Sequence, residues 1–285
     1  MLEERIREQY SKCNYRIDRI SHNKRCIIFC SSNGLWQPHN EETFVKCFCE
    51  RDKYEWENIA KAKQIREHFG KIIYIRDIYK HFYVEGINEQ INTIDKLIEF
   101  LEPETKGYEL VVAGHSAGGY LACILGAKLN ATKVLSFGGQ FNLYSWGGAK
   151  GTYTFAQCDF LTKHLADEGR AQYYDITKLL MQTQIPVFYF YGAYNEADCI
   201  QANTVTNLQN ICLFGFREKR HGAAMWSPNI LYILCAGNDA LIKLNGRFAN
   251  KMIKKYVFSM LSIGACHTVV WMVSKVLKRL GIGKG

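Results

Sequence analysis

The sequence predicts an α/β fold, a mostly parallel sheet with helices on both faces. Short apolar runs rich in Val, Ile, Phe and Tyr recur six times along the chain, with helical stretches between them. The chain has 285 residues, 48% of them hydrophobic and 22% charged, enough to bury one substantial core and too apolar for extended disorder. A Gly-His-Ser-Ala-Gly turn between the third run and the stretch after it adds a strand-to-helix junction with a chemical group at its apex.

The six runs are 26–30, 71–76, 110–113, 133–137, 186–191 and 211–216. Residues 86–101 set Ile87, Ile91, Ile94, Ile98 and Leu101 at steps of four and three, which predicts a helix with one apolar face before the third run. Ala117 to Leu129 reads as the next helix, ended by Asn130. The stretch 138–185 is too long for a plain connection and rich in aromatics, among them Phe141, Tyr144, Trp146, Tyr153 and Phe155. It reads as a small cap over the site. The expected division is a catalytic domain over 1–248 and a basic apolar helix over 249–285.

A serine hydroxyl is a poor nucleophile at neutral pH and needs a base together with a backbone bend that exposes it. Gly114-His115-Ser116-Ala117-Gly118 supplies the bend, because Gly114 and Gly118 relieve crowding where strand meets helix. Through this elbow and its setting the chain resembles the α/β-hydrolase family over roughly residues 26–244. The resemblance implies a triad in the order serine, acid, histidine, with the acid after the fifth run and the histidine after the last. Asp198 is the expected acid and Glu196 the alternative. His221 is the expected base, and the side chain of His115 is expected to point away from Ser116. The oxyanion donors are expected from the Ala117 amide and from the turn Ser31-Ser32-Asn33-Gly34-Leu35, with Leu35 favoured and Gly34 next.

The segments Ser31–Leu35, Arg51–Trp56 and Gly138–Leu143 resemble hydrolases of bacterial surface-polysaccharide gene clusters. That resemblance implies an ester on a glycan or lipid-linked glycan. Aromatic rings in the insertions would then stack on sugar faces, the alternative being ordinary cap packing.

The formal net charge of +9 is concentrated. Residues 240–285 carry nine Lys or Arg and no acid, so the remainder is neutral. With no zinc-knuckle spacing or basic helix before residue 240, nucleic acid is not an expected partner. The eleven cysteines are odd in number, and Cys26, Cys30, Cys123 and Cys212 sit in apolar runs, so they read as reduced core residues. Neither metal nor cofactor is implied. Charges in Met1–Glu8 stand where a secretory signal would be apolar, which predicts a cytoplasmic protein and makes Asn130-Ala131-Thr132 a sequon without consequence.

Residues 256–274 are nineteen positions without a formal charge, flanked by Lys254, Lys255, Lys275, Lys278 and Arg279. Ser259, Ser262, His267, Thr268 and Ser274 weaken the run, so a shallow anchor on an anionic membrane at its inner face fits better than a span. Packing on the body or on a second subunit is the alternative. The expected activity is a serine esterase. An acyltransferase on the same fold and a non-catalytic scaffold of polysaccharide assembly are the other readings, and substrate and oligomeric state stay open.

Overall fold

A computed structural model describes residues 1–145, 158–221, 227–249 and 251–279. Seven strands form one sheet: β1 (Tyr15–Arg19), β2 (Arg25–Cys30), β3 (Lys71–Ile75), β4 (Glu109–His115), β5 (Lys133–Phe137), β6 (Val187–Gly192) and β7 (Ile211–Phe216). Their spatial order is β1-β3-β2-β4-β5-β6-β7. All pairings are parallel except β1 with β3. All six apolar runs are strands. The seventh, β1, escaped the sequence reading because this edge strand alternates Tyr15 and Ile17 with Arg16 and Asp18 and is only partly buried.

Side chains alternate across the sheet. Cys26, Ile28 and Cys30 enter one core, while Ile27 and Phe29 enter the other. The first core is closed by α2 (Ile94–Thr105) and α3 (Ala117–Lys128), together with Phe141, Leu161 and Tyr174 of the cap region. The second lies under α5 (Ser227–Cys235), α6 (Asn238–Arg247) and Phe258 of α7 (Lys255–Ile263). The remaining longer helices are α1 (Leu2–Tyr10), α4 (Glu196–Thr204) and α8 (Ala265–Arg279). α3 is buried on nearly every side, which fits its lack of a polar face.

Two boundaries differ from expectation. The helix predicted over 86–101 begins at Ile94, where the Thr93 hydroxyl accepts from Lys96 N–H at 3.1 Å. Ile87 and Ile91 are buried as predicted, but in a turn: Gly86 has φ +65°, and the Asn88 side chain accepts from Gln90 and Ile91 N–H. The single tail helix is instead two, α7 and α8, broken at Gly264 with φ +93°. No helix among the described residues is long and apolar enough to cross a membrane. Before α7 the chain runs along β7, Arg217 N–H bonding Ile253 O and Ile253 N–H bonding Gly215 O, each at 2.8 Å.

Candidate active site

β2 sits at the switch in strand order, with β3 on one side and β4 on the other, and the carboxyl ends of such strands are where open α/β sheets bind ligands. Ser116 occupies that end of β4 at φ +53°, ψ −123°, a conformation a non-glycine residue adopts only when its surroundings enforce it. The enforcement is visible. Ser116 N–H bonds Phe137 O at 2.9 Å, and α3 leaves at once on the far side. A Cβ on Gly114 would lie 2.0 Å from Gly118 O, and one on Gly118 would lie 2.2 Å from Cys30 O. Glycine at both positions lets β4, α3 and β2 converge beneath the serine. Ala117, the first residue of α3, follows the serine directly and has no intrahelical acceptor for its N–H.

The structure brings Asp198 and His221 together. The α4 N-cap, Asn195, accepts from Asp198 N–H at 3.0 Å and turns the Asp198 carboxylate inward, where it is 1% exposed. One carboxylate oxygen accepts from Gly192 N–H at 2.8 Å, and the other bonds His221 Nδ1. Glu196, two positions earlier in the same turn, points about 200° away and is exposed. The His221 side chain is 35% exposed, and its ring lies 5.4 Å from that of His115, the residue before Ser116. His115 therefore faces the imidazole of His221. Among the described residues the Ser116 hydroxyl makes no hydrogen bond, as is common before substrate tightens a site.

Residues 51–185, a little under half the chain and including the elbow, match the model of the family Lipase (class 3). No curated protein matches. Among solved structures, the capsule O-acetyltransferase of Neisseria meningitidis serogroup A is 11% identical over 73% of this chain and 84% of its own, with a TM-score of 0.49. MenH from S. aureus is 11% identical over 82% of this chain and 100% of its own, with a TM-score of 0.44. The chain has the α/β-hydrolase fold. The lipase match further supports a hydrolytic enzyme.

In this α/β-hydrolase fold the turn after β2 departs from expectation. Gly34 N–H bonds Ser32 Oγ at 3.1 Å and Leu35 N–H bonds Ser32 O at 3.2 Å, so both expected oxyanion donors are engaged inside their own turn. The turn is braced by residues the sequence reading passed over. Glu55 accepts from Ser32 N–H and, at 3.0 Å, from Ser32 Oγ, and its carboxylate lies 3.5 Å from His115 Nδ1. Tyr83 OH bonds Ser31 O at 2.7 Å, and Asn33 Nδ2 bonds Lys80 O at 3.0 Å. Lys80, Phe82 and Tyr83 all hold positive φ around the buried Asp77, which accepts from Lys80 and Tyr83 N–H. Burial raises the Asp77 carboxyl despite those bonds, and it pushes the Lys80 ammonium down to about 8. The concentration of Lys80, Phe82 and Tyr83 at strained φ was the signal a sequence could not carry.

The cap aromatics divide. Phe141, Tyr173 and Tyr174 are core residues, Phe160 stacks on His81 at 4.3 Å, and Tyr144 is exposed. For the described rings, then, packing outweighs sugar stacking. Trp146, Tyr153 and Phe155 lie outside the described residues.

Proposed function

We propose that this protein is a serine esterase that cleaves a carboxylic ester through an acyl-enzyme on Ser116. The observation that carries the reading is the buried Asp198 carboxylate, held by Gly192 N–H and bonded to His221 Nδ1, with the His221 ring 5.4 Å from that of His115, the residue before the positive-φ Ser116. Asp198 fixes the tautomer that leaves Nε2 as a base. Ser116 Oγ attacks the ester carbonyl as its proton passes to His221 Nε2, and the developing oxyanion accepts from Ala117 N–H. Collapse of the tetrahedral intermediate breaks the bond to the alcohol oxygen, which leaves with the proton from His221. Water, deprotonated by the same imidazole, then attacks the acyl carbon and Ser116 recovers its proton. The second oxyanion donor becomes available when Gly34 or Leu35 exchanges its bond to Ser32 for one to substrate. Carboxylic esters on a glycan or on a lipid-linked glycan are the substrates we infer, from the likeness of Ser31–Leu35, Arg51–Trp56 and Gly138–Leu143 to polysaccharide-cluster hydrolases.

A fluorophosphonate probe tests the reading. The wild-type chain is expected to label at Ser116 and Ser116→Ala to stay unlabelled, while Ser116→Ala and His221→Ala lower turnover of a short aryl ester by about three decades or more. Absence of wild-type labelling, with folding verified by circular dichroism, would mean a binding scaffold and not an enzyme. Product mass spectrometry with and without a glycan acceptor separates hydrolysis from acyl transfer, since both start from the same acyl-enzyme.

A further inference from the structure

A helix on the surface of a globular protein turns its apolar side inward. The C-terminal hairpin does the opposite. At about 100° per residue, Cys266, Val269, Val270, Val273, Val276 and Leu277 fall within one stripe of α8 about 120° wide. All six are exposed, while Thr268 on the opposite face is buried against Ser259 of α7, the two hydroxyls bonding at 2.9 Å. α7 repeats the pattern: Phe258 and Ser259 face the body, and Val257, Met260 and Leu261 face out at 40 to 47% exposure. Among the described residues, ten of the seventeen large exposed hydrophobics lie on these two helices.

This face has an apolar centre and basic surroundings. Lys251 and Lys254 are exposed just before α7, and the whole stretch 240–285 contains no Asp or Glu. A soluble protein partner would be expected to answer so many cations with acids and a second copy of this chain would bring the same positive charge, whereas a bilayer with anionic headgroups matches both features. The hairpin is also attached to the catalytic body. Phe258 packs on Phe214 and Phe216 of β7, and Lys255 Nζ pairs with Glu218, three residues before His221, at 3.3 Å.

We infer that α7 and α8 form an in-plane docking surface for an anionic lipid bilayer, their apolar stripe entering the headgroup boundary with Lys251 and Lys254 on the phosphates. The hairpin lies on the membrane without crossing it, because Gly264 divides the uncharged run into helices of nine and fifteen residues. This inference is independent of the chemistry at Ser116. Docking would hold the His221 loop at a fixed height above the lipid surface.

The test is co-sedimentation of the full chain with vesicles of phosphatidylcholine alone or with about 30% phosphatidylglycerol, and gel filtration with light scattering without lipid. Binding is expected to the mixed vesicles and not to the neutral ones, and to weaken with salt. Val273→Asp with Val276→Asp should reduce partitioning by about tenfold or more, and Lys251→Gln with Lys254→Gln should reduce it by several fold. Both variants should keep the wild-type circular dichroism spectrum, since all four side chains face solvent. Failure of the wild type to bind mixed vesicles, or unchanged binding of the aspartate variant, overturns the inference. A wild-type dimer that Val273→Asp converts to monomer also overturns it, by making a second copy the occupant.

Discussion

At the scale of single residues, the site turns on which of two acids reaches the imidazole. Asp198 and Glu196 share one helical turn, and only the residue whose Cα–Cβ vector points back toward β6 can accept from both Gly192 N–H and His221. Asp198→Asn is therefore expected to lower kcat by about three to four decades through loss of the correct tautomer, and Glu196→Gln to leave it unchanged, in aryl ester kinetics. Glu55 acts one step further out. It holds the Ser32 amide and hydroxyl and so sets the shape of the turn that must release a donor. Glu55→Gln should lower kcat by about tenfold while the thermal midpoint moves by no more than about 2 °C, because misplacement of a positioning loop costs rate before stability. The sequence made Ser116 legible at its turn, and the family resemblance pointed to Asp198 and His221 after their strands. Glu55 and Tyr83 were not legible, since their link to the turn after β2 is a contact across 23 and 52 positions of chain.

At the scale of elements, the elbow works because three backbones converge on two glycines. Gly118→Ala would push a methyl carbon to 2.2 Å from a carbonyl oxygen of β2, with no flexible side chain able to give way. Chemical denaturation should register a loss of about 3 kcal/mol or more, or the variant should fail to accumulate in soluble form. The stretch between β2 and β3 that carries Glu55 is fastened from β3's end. The fully buried Arg76 guanidinium donates to Asp52 at 2.7 Å, to Lys53 O at 3.0 Å and to Asn14 Oδ1 at 3.2 Å, and lies 4.3 Å from the centre of the Tyr54 ring. Arg76→Ala is expected to destabilise by about 2–4 kcal/mol, read by denaturant unfolding, since it empties a fully buried site beside the Tyr54 ring and takes a donor from the buried Asn14. The run 71–76 was readable as a strand from its apolar pattern, but that its last residue clamps that stretch was not, because a buried arginine has no sequence signature.

At the scale of the molecule, two cores on either side of one sheet hold the site rigid, and the second core extends into the C-terminal hairpin through Phe258. The hairpin is thus part of the packed body on its inner side and exposes Val257, Met260, Leu261, Val269, Val270, Val273 and Val276 on its outer side. A chain ended after Arg247 would expose Phe214 and Phe216 and lose the Ile253 contacts along β7. Truncation is therefore expected to lower the thermal midpoint by at least about 5 °C in differential scanning fluorimetry, in contrast to the surface variants Val273→Asp and Val276→Asp, which should leave it unchanged. The uncharged run 256–274 was legible as apolar, and its division was not. Gly264 reads in sequence as one tolerated glycine, and only its left-handed backbone turns one helix into two.

The sequence by itself determined the parallel sheet and the strand-to-helix turn that carries Ser116, because period and glycine placement are local properties of a chain, while the places expected for acid and base were what the family resemblance implied. Tertiary structure decided Asp198 over Glu196, brought His115 toward His221, closed the turn after β2 on Glu55 and turned the apolar side of α7 and α8 outward. Each of those depends on the direction of a side chain relative to a neighbour remote in sequence, and direction is set only when the layers pack.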